Sequence, residues 1–281
     1  MSRTNKGPLK AASSSLKRIS IFQNKILSFY KVHKRDLPWR KTKDPYAILL
    51  SEIMLQQTQV SRGIFYYGKW LRRWPTIHQL ARARRHDILR EWMGLGYNNR
   101  AKHLHESARI ISEKFAGDVL GAMGHYEELP GIGPYTACAV RIFSNNENIA
   151  AVDTNIRRIL IHEFSLNEKT KDSELLKIAK KCLPKGKSRE WHNALMDYGA
   201  TFFTARKSGI RPKSRQSRFE GSDRQLRAKV LRQILKGKDG IGAVELRKAF
   251  PSDRQRLGKV LDTLAKDGLI EKVRGKHFLI G

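Results

Sequence analysis

The sequence predicts a mainly α-helical fold that ends in a small winged-helix-like unit. From Ile19 to about Tyr198, apolar residues recur at three- and four-residue spacing, as in Ile21, Ile26, Leu27 and Tyr30. That is the period of a helix with one buried face. Alternating runs rich in Val, Ile and Thr are scarce over the same stretch, so no strands are expected there. After Ser222 the pattern changes to three short helices and a hairpin signal.

Taken in order, residues 1–18 are basic and Ser-rich without an apolar centre, and read as a flexible arm rather than a secretory signal. Helices fill residues 19–204. They are interrupted at Asp44-Pro45, Trp74-Pro75, Gly94-Leu95-Gly96, Pro130 to Pro134 and Leu183-Pro184, because proline and glycine break helix hydrogen bonding. Trp70, Trp74 and Trp92 fall on these helices as packing residues. Residues 205–222, ARKSGIRPKSRQSRFEGS, form a basic linker. Residues 223–281 form the last unit. Leu226, Val230, Leu231 and Ile234 mark its first helix, and Ala243 to Phe250 its second, stopped by Pro251. Ser252 is placed to cap a third helix that carries Leu257, Val260, Leu261 and Leu264 and ends at Gly268. Leu269 to Val273 and His277 to Ile280 flank Arg274-Gly275-Lys276 as a hairpin.

Composition narrows the partners. Among 281 residues, Lys plus Arg is 56 against 26 Asp plus Glu, a net charge of +30. The excess runs through the whole chain, which favours a polyanion over a merely solvated surface. No run of about 18 apolar residues exists, so no membrane span is expected. Cys138 and Cys182 are the two cysteines, too few for a disulfide framework or a four-thiolate cluster. Reduced, intracellular thiols are expected, with Cys138 a small core residue and Cys182 an incidental thiol. The nine histidines show no ligand spacing, so no metal site is expected; His103 and His105 read as lying on a DNA-facing or solvated helix.

Two stretches carry chemistry. The first is Leu129-Pro130-Gly131-Ile132-Gly133-Pro134-Tyr135-Thr136-Ala137, followed by Asp153. It reads as helix, tight glycine turn, helix, then a loop with one carboxylate. Amides exposed at such a helix start form an anion site, and here the expected anion is a DNA phosphate. The second runs from Leu37-Pro38-Trp39-Arg40 to Ser51-Glu52-Ile53-Met54-Leu55-Gln56-Gln57-Thr58-Gln59-Val60. Glu52 sits among apolar helical neighbours, where an ionised carboxylate is costly and a general acid is favoured. Gln56 and Gln57 follow one turn later, with amides able to meet a base edge. A solvent-facing Glu with two ordinary polar neighbours fits the spacing equally well.

LPWR, SEIMLQQTQV, GLGY at Gly94 to Tyr97 with Arg100-Ala101, LPGIGPYTA and VDTNIRRIL stand in the order seen in the helix-hairpin-helix DNA glycosylase superfamily. Over roughly residues 20–205 the chain resembles its MutY-type adenine branch. The resemblance implies a helix-hairpin-helix glycosylase fold and a monofunctional DNA glycosylase of base excision repair. The expected target is adenine opposite guanine or 8-oxoguanine. It implies that Glu52 protonates the flipped base and then helps activate water, that Asp153 stabilises the oxocarbenium-like sugar, and that Asn155 orients the Asp or the water. Tyr135 stands where lyase members carry a lysine. The implied DNA contacts are Gln56, Gln57, Leu129, Gly131, Ile132, Gly133, Tyr97, Asn98 and Arg100, with Gln57 as a wedge near the extruded base. The partner implied is double-stranded DNA with a mispaired or damaged base, bound by a monomer that is intracellular and DNA-associated, in the cytoplasm or nucleoid if the source is prokaryotic.

Three features depart from the family. No cysteine follows Leu195-Met196-Asp197-Tyr198-Gly199-Ala200, where relatives hold an iron–sulfur cluster. No cofactor is therefore expected beyond a monovalent cation at the hairpin, and Phe202 and Phe203 are expected to pack in place of the cluster. The C-terminal unit is also about half the length of the family's 8-oxoguanine reader, and Asn98-Asn99 replaces an aromatic. Removal of uracil or thymine opposite guanine, and a non-catalytic DNA-binding role, stand as alternatives.

Overall fold

The structure, a computed structural model, describes residues 7–204, 209–210, 218–237 and 240–280. It divides into two compact units, each made from two separate stretches of chain: Met1–Ile48 with Pro134–Ser214, and Leu49–Gly133 with Arg215–Gly281. The expected mainly α-helical fold is found.

In the first unit, helix α1 spans Gly7–His33. It therefore enters the stretch read as a flexible arm; residues 1–6 lie outside the described residues. After Pro8 the sequence contains no breaker, and a proline in the first turn forgoes only a hydrogen bond the helix start does not make. A 3₁₀ turn at Pro38–Arg40 leads to α2 (Pro45–Leu55), whose first turn belongs to this unit. Helices α8 (Pro134–Asn145), α9 (Thr154–Glu163), α10 (Asp172–Cys182) and α11 (Ser188–Phe202) complete it. Its core joins Phe22 and Ile26 of α1 to Ile156, Ile159 and Leu160 of α9, Leu175 of α10, and Trp191, Leu195 and Tyr198 of α11. Each such side chain contributes about 1.5–3 kcal/mol on burial. Phe22 meets the edges of Phe164 and Trp191 at 5.4 and 5.5 Å between ring centroids. Cys182 belongs to this core, and burial pushes its thiol up to about 12. Phe203 is buried there too, whereas Phe202 is half exposed and edges onto Phe29. Ile210, inside the stretch read as a linker, is also buried in this core; residues 205–208 and 211–217 lie outside the described residues.

Asp197 on α11 fixes the segment between α1 and α2. Its buried carboxylate accepts from Arg35 N at 3.0 Å, Arg35 Nε at 2.5 Å, and Arg40 Nη1 and Nη2 at 2.8 Å each.

The second unit holds the rest of α2, then α3 (Val60–Arg73), α4 (Ile77–Arg82), α5 (Arg85–Trp92), α6 (Asn99–Lys114) and α7 (Val119–Ala122). The Trp70 ring packs edge-on against Trp74 and Trp92, at 4.8 and 5.3 Å between centroids, so all three tryptophans are packing residues as expected. His105 differs: it is buried on α6 with Nε2 3.3 Å from Ala81 O, because its face of the helix covers α4. Burial keeps its imidazole below the usual value and thus neutral.

The same unit carries the C-terminal elements α12 (Asp223–Lys236), β1 (Ile241–Gly242), α13 (Ala243–Ala249), α14 (Arg254–Lys266), β2 (Ile270–Val273) and β3 (Lys276–Leu279). The sheet order is β1-β3-β2, antiparallel throughout, with Ile270 opposite Leu279 and Val273 opposite Lys276. Arg274 and Gly275, with φ of 47° and 78°, make the two-residue turn that suits a twisted hairpin. Strand β1 was not foreseen, since two residues are too few for an alternating pattern. Ser252 does not cap α14: it lies in a 3₁₀ turn at Pro251–Asp253, which places Asp253 at the helix start. No helix among the described residues is long and apolar enough to cross a membrane.

Candidate functional site

In the first unit, Asp153 is the N-cap of α9. Its side chain accepts from Ile156 N at 2.7 Å and from Asn155 Nδ2 at 2.8 Å. Asn155 Oδ1 in turn accepts from Arg158 Nη2, and Arg158 Nε donates to Phe203 O at 2.8 Å. Asn155 is also backed by α11, where a Cβ on Gly199 would lie 3.3 Å from Asn155 Cβ. Burial raises the Asp153 carboxyl above its ordinary value, against the hydrogen bonds from Ile156 and Asn155 and the Arg158 charge, which favour the ionised form. The result is an oriented, half-buried carboxylate. Tyr135, half-buried at the second position of α8, belongs to the same unit.

In the second unit, Glu52 lies part-buried in the last turns of α2, between the buried Ile48 to Ser51 run and Ile53-Met54. The chain then turns sharply. Gln57 is exposed and takes a left-handed conformation (φ 57°), which costs a residue with a Cβ on the order of 1 kcal/mol. The Gly94 to Tyr97 loop is similarly tight. A Cβ on Gly94 (φ 108°) would sit 2.0 Å from Tyr66 Oη, which itself donates to Met93 O at 2.6 Å. Trp92 Nε1 donates to Gly96 O at 3.0 Å. Tyr97 (φ 49°) is exposed, and its hydroxyl accepts from Arg224 Nη1 of α12 at 3.1 Å. Asn98 caps α6 by position, without a side-chain bond to it.

Arg100 is not arranged as a DNA contact. Its Nη1 donates to Ile53 O, Met54 O and Gln56 O at 2.8, 3.0 and 2.7 Å. Its Nη2 faces Thr58 Oγ1, Leu95 O and Gly96 O at 3.2, 3.1 and 3.0 Å. Burial lowers its pKa to about 10. An arginine in a basic chain invites a phosphate reading, but these carbonyls already occupy the guanidinium.

The hairpin also refines the expectation. Leu129 and Ile132 are buried, and their amides are given to Tyr126 O and Leu129 O. Gly131 (φ 74°) is required because a Cβ there would meet His103 Cβ at 2.8 Å. A Cβ on Gly133 would meet nothing within 4 Å, so its backbone can be approached closely. The Leu129 and Ile132 amides are thus already used within the turn. The helix before the turn is a 3₁₀ segment, Met123–Glu128, rather than a regular α-helix.

The residues present do not fit an iron–sulfur cluster. The chain has two thiols, Cys182 lies inside the core, and no group of three or more potential ligands occurs among the described residues. At the end of α11, Phe203 is buried and its carbonyl accepts from Arg158 Nε of α9.

Comparison with known proteins places these motifs. Residues 50–185 match the family described as HhH-GPD superfamily base excision DNA repair protein. The adenine DNA glycosylase of Mycolicibacterium smegmatis is 35% identical over 283 residues, covering 93% of this chain and 97% of that protein. Its counterpart from Mycobacterium tuberculosis strain H37Rv is 33% identical and covers 93% and 94%. Among solved structures, a thermostable thymine-DNA glycosylase aligns with a TM-score of 0.62 and 30% identity over 68% of this chain and 90% of that one. An endonuclease III trapped on DNA shares the fold, with a TM-score of 0.60 and 17% identity over 72% and 90%. The chain belongs to the HhH-GPD superfamily of base excision DNA repair proteins.

Proposed function

We propose that this chain hydrolyses the N-glycosidic bond of mispaired adenine in double-stranded DNA, as a monofunctional adenine DNA glycosylase. The observation that carries the reading is Asp153. Burial makes its negative charge costly, and a positive charge developing on a nearby sugar offsets that cost most strongly in the transition state. Asn155 and the Ile156 amide hold the carboxylate in one orientation beforehand. The similarity to adenine DNA glycosylases runs through 93% of the chain, so it includes most of the C-terminal elements.

The base must leave the stack before it can react. Gln57 enters the duplex beside it, and the glycine amides of the hairpin hold a phosphate. Glu52 then protonates the adenine, the bond from C1′ to the base breaks, and the base leaves carrying that proton. Water adds to C1′ and gives a proton to the Glu52 carboxylate, which restores the acid. Tyr135 has no amine and forms no Schiff base with the product, so the abasic strand stays intact. The chain acts as a monomer, and the opposing base is guanine or 8-oxoguanine.

The test is single-turnover base release on duplexes with adenine opposite guanine, 8-oxoguanine, cytosine and thymine, and with uracil or thymine opposite guanine, read before and after alkali. Adenine release with strand breaks appearing after alkali supports the proposal. Release of thymine or uracil alone supports the second reading, which rests on the 30% identity to the thermostable thymine-DNA glycosylase. No release from any duplex supports the non-catalytic alternative.

A further inference from the structure

The guanidinium of Arg100 joins two separate stretches of chain, one at Ile53 to Thr58 and one at Leu95-Gly96. On one side it donates to the carbonyls of Ile53 and Met54, in the last turn of the helix that carries Glu52, and to Gln56 O just beyond it. On the other it donates to Leu95 O and Gly96 O, at the base of the loop that presents Tyr97. Thr58 Oγ1 closes the ring of acceptors. The guanidinium lies between two aromatic rings, 5.1 Å from the Trp92 centroid and 5.7 Å from that of Tyr97. The exposed residues at the tips of these stretches, Gln57 and Tyr97, both hold left-handed backbone conformations. A planar fork can satisfy carbonyls on both sides at once; an ammonium, with three donors around a point, cannot span them.

We propose that Arg100 is a positioning residue that holds the Gln56-Gln57 turn and the Gly94 to Tyr97 loop as one pre-formed wedge for extruding the target base. The inference rests on the glycosylase reading above. Arg100 itself touches no DNA. Its work is to remove the need to order two loops at the moment the duplex is opened, and Arg224, on the Tyr97 hydroxyl, adds a third point of attachment.

The experiment compares wild type with Arg100→Lys on two substrates of one sequence: adenine in a mispaired duplex, and the same adenine in an unpaired bubble. Because misplacing such elements by about 1 Å can cost on the order of 10²-fold, R100K should slow base release from the duplex by up to that amount. Extrusion is already largely accomplished in the bubble, so the deficit there should shrink by about tenfold or more. 2-Aminopurine placed beside the target should show a smaller fluorescence rise with R100K on the duplex. An equal loss on both substrates would mean that Arg100 only supports the scaffold or the chemistry, and would overturn the proposal, as would an R100K rate equal to wild type. A fall of about 0.9 in the salt-dependence slope would overturn it in favour of a phosphate contact. Should R100K fail to fold, Thr58→Val removes a single acceptor and carries the same comparison of substrates at smaller amplitude. Wild type releasing no adenine from either substrate would instead refute the glycosylase reading itself.

Discussion

Replacing Asp197 with Asn should destabilise the protein by about 3 kcal/mol. The carboxylate is 1% exposed and serves two arginines, of which Arg40 is 12% and Arg35 36% exposed. Removing one partner of a buried ion pair costs roughly 3–5 kcal/mol, because the other charge remains buried without compensation. Water can rehydrate much of Arg35, so the lower end of that range applies here. In a protein of this size that corresponds to a fall of about 6–12 °C in melting temperature. Burial works to raise the Asp197 carboxyl, but hydrogen bonds from Arg40 and Arg35 outweigh it and hold it below the usual range. A depressed folded value gives stability that is fully present above the unfolded pKa of about 3.9 and is lost as pH falls through the folded one. Urea titrations of wild type and D197N should therefore differ by a constant amount from about pH 8 to 5, with the gap closing below about pH 4. A gap under about 0.5 kcal/mol at pH 7, the ordinary range for an inconsequential surface change, would refute the reasoning. So would a gap that persists unchanged to pH 3.

Three further outcomes are expected. Glu52→Gln should bind mispaired DNA normally but release base slower by roughly 10²–10⁴, the usual contribution of general acid catalysis; single-turnover release at wild-type speed would remove Glu52 from the mechanism. Because burial raises the Asp153 carboxyl and the ionised form is the one needed, base release should fall along an acid limb lying above about pH 4, the ordinary carboxylate value, and a profile flat to pH 4 would contradict this. The purified protein should be colourless, with no stoichiometric iron by metal analysis; a brown protein with about four irons per chain would show ligation by groups other than the two cysteines.

Much of this was legible in local pattern. The carboxylate of Asp153 before an apolar helical run is an N-cap signal, and the glycines at 131 and 133 announce a tight turn. Leu226 to Ile234 and Leu257 to Leu264 trace two helices by spacing alone, and both helices are present. What the sequence hid were partners chosen by the tertiary fold. LPWR stood out as a motif, but nothing near it says that Arg40 reaches Asp197 across 157 residues. Arg100 and Arg256 look like phosphate ligands in a chain of net charge +30, yet Arg256 is tied to Asp223, Asp253 and Gly221 O. His105 reads as solvated until the face of α6 that it occupies is known to cover α4. Periodicity identifies a buried face; it does not say which polar residues that face carries inward with it.

The discontinuous build of the first unit has a consequence during synthesis. Helix α1 emerges from the ribosome early, but its docking sites on α10 and α11 are translated last in that unit; Gln23, for example, donates to Cys182 O across 159 residues. At about 5–20 residues per second, the apolar side of α1 waits on the order of ten to thirty seconds for its cover. Within that interval the Leu49–Gly133 stretch is made, although the other half of its unit, Arg215–Gly281, is translated later still. A nascent chain stalled near residue 133 would thus present Phe22 and Ile26 without the partners that α9, α10 and α11 supply.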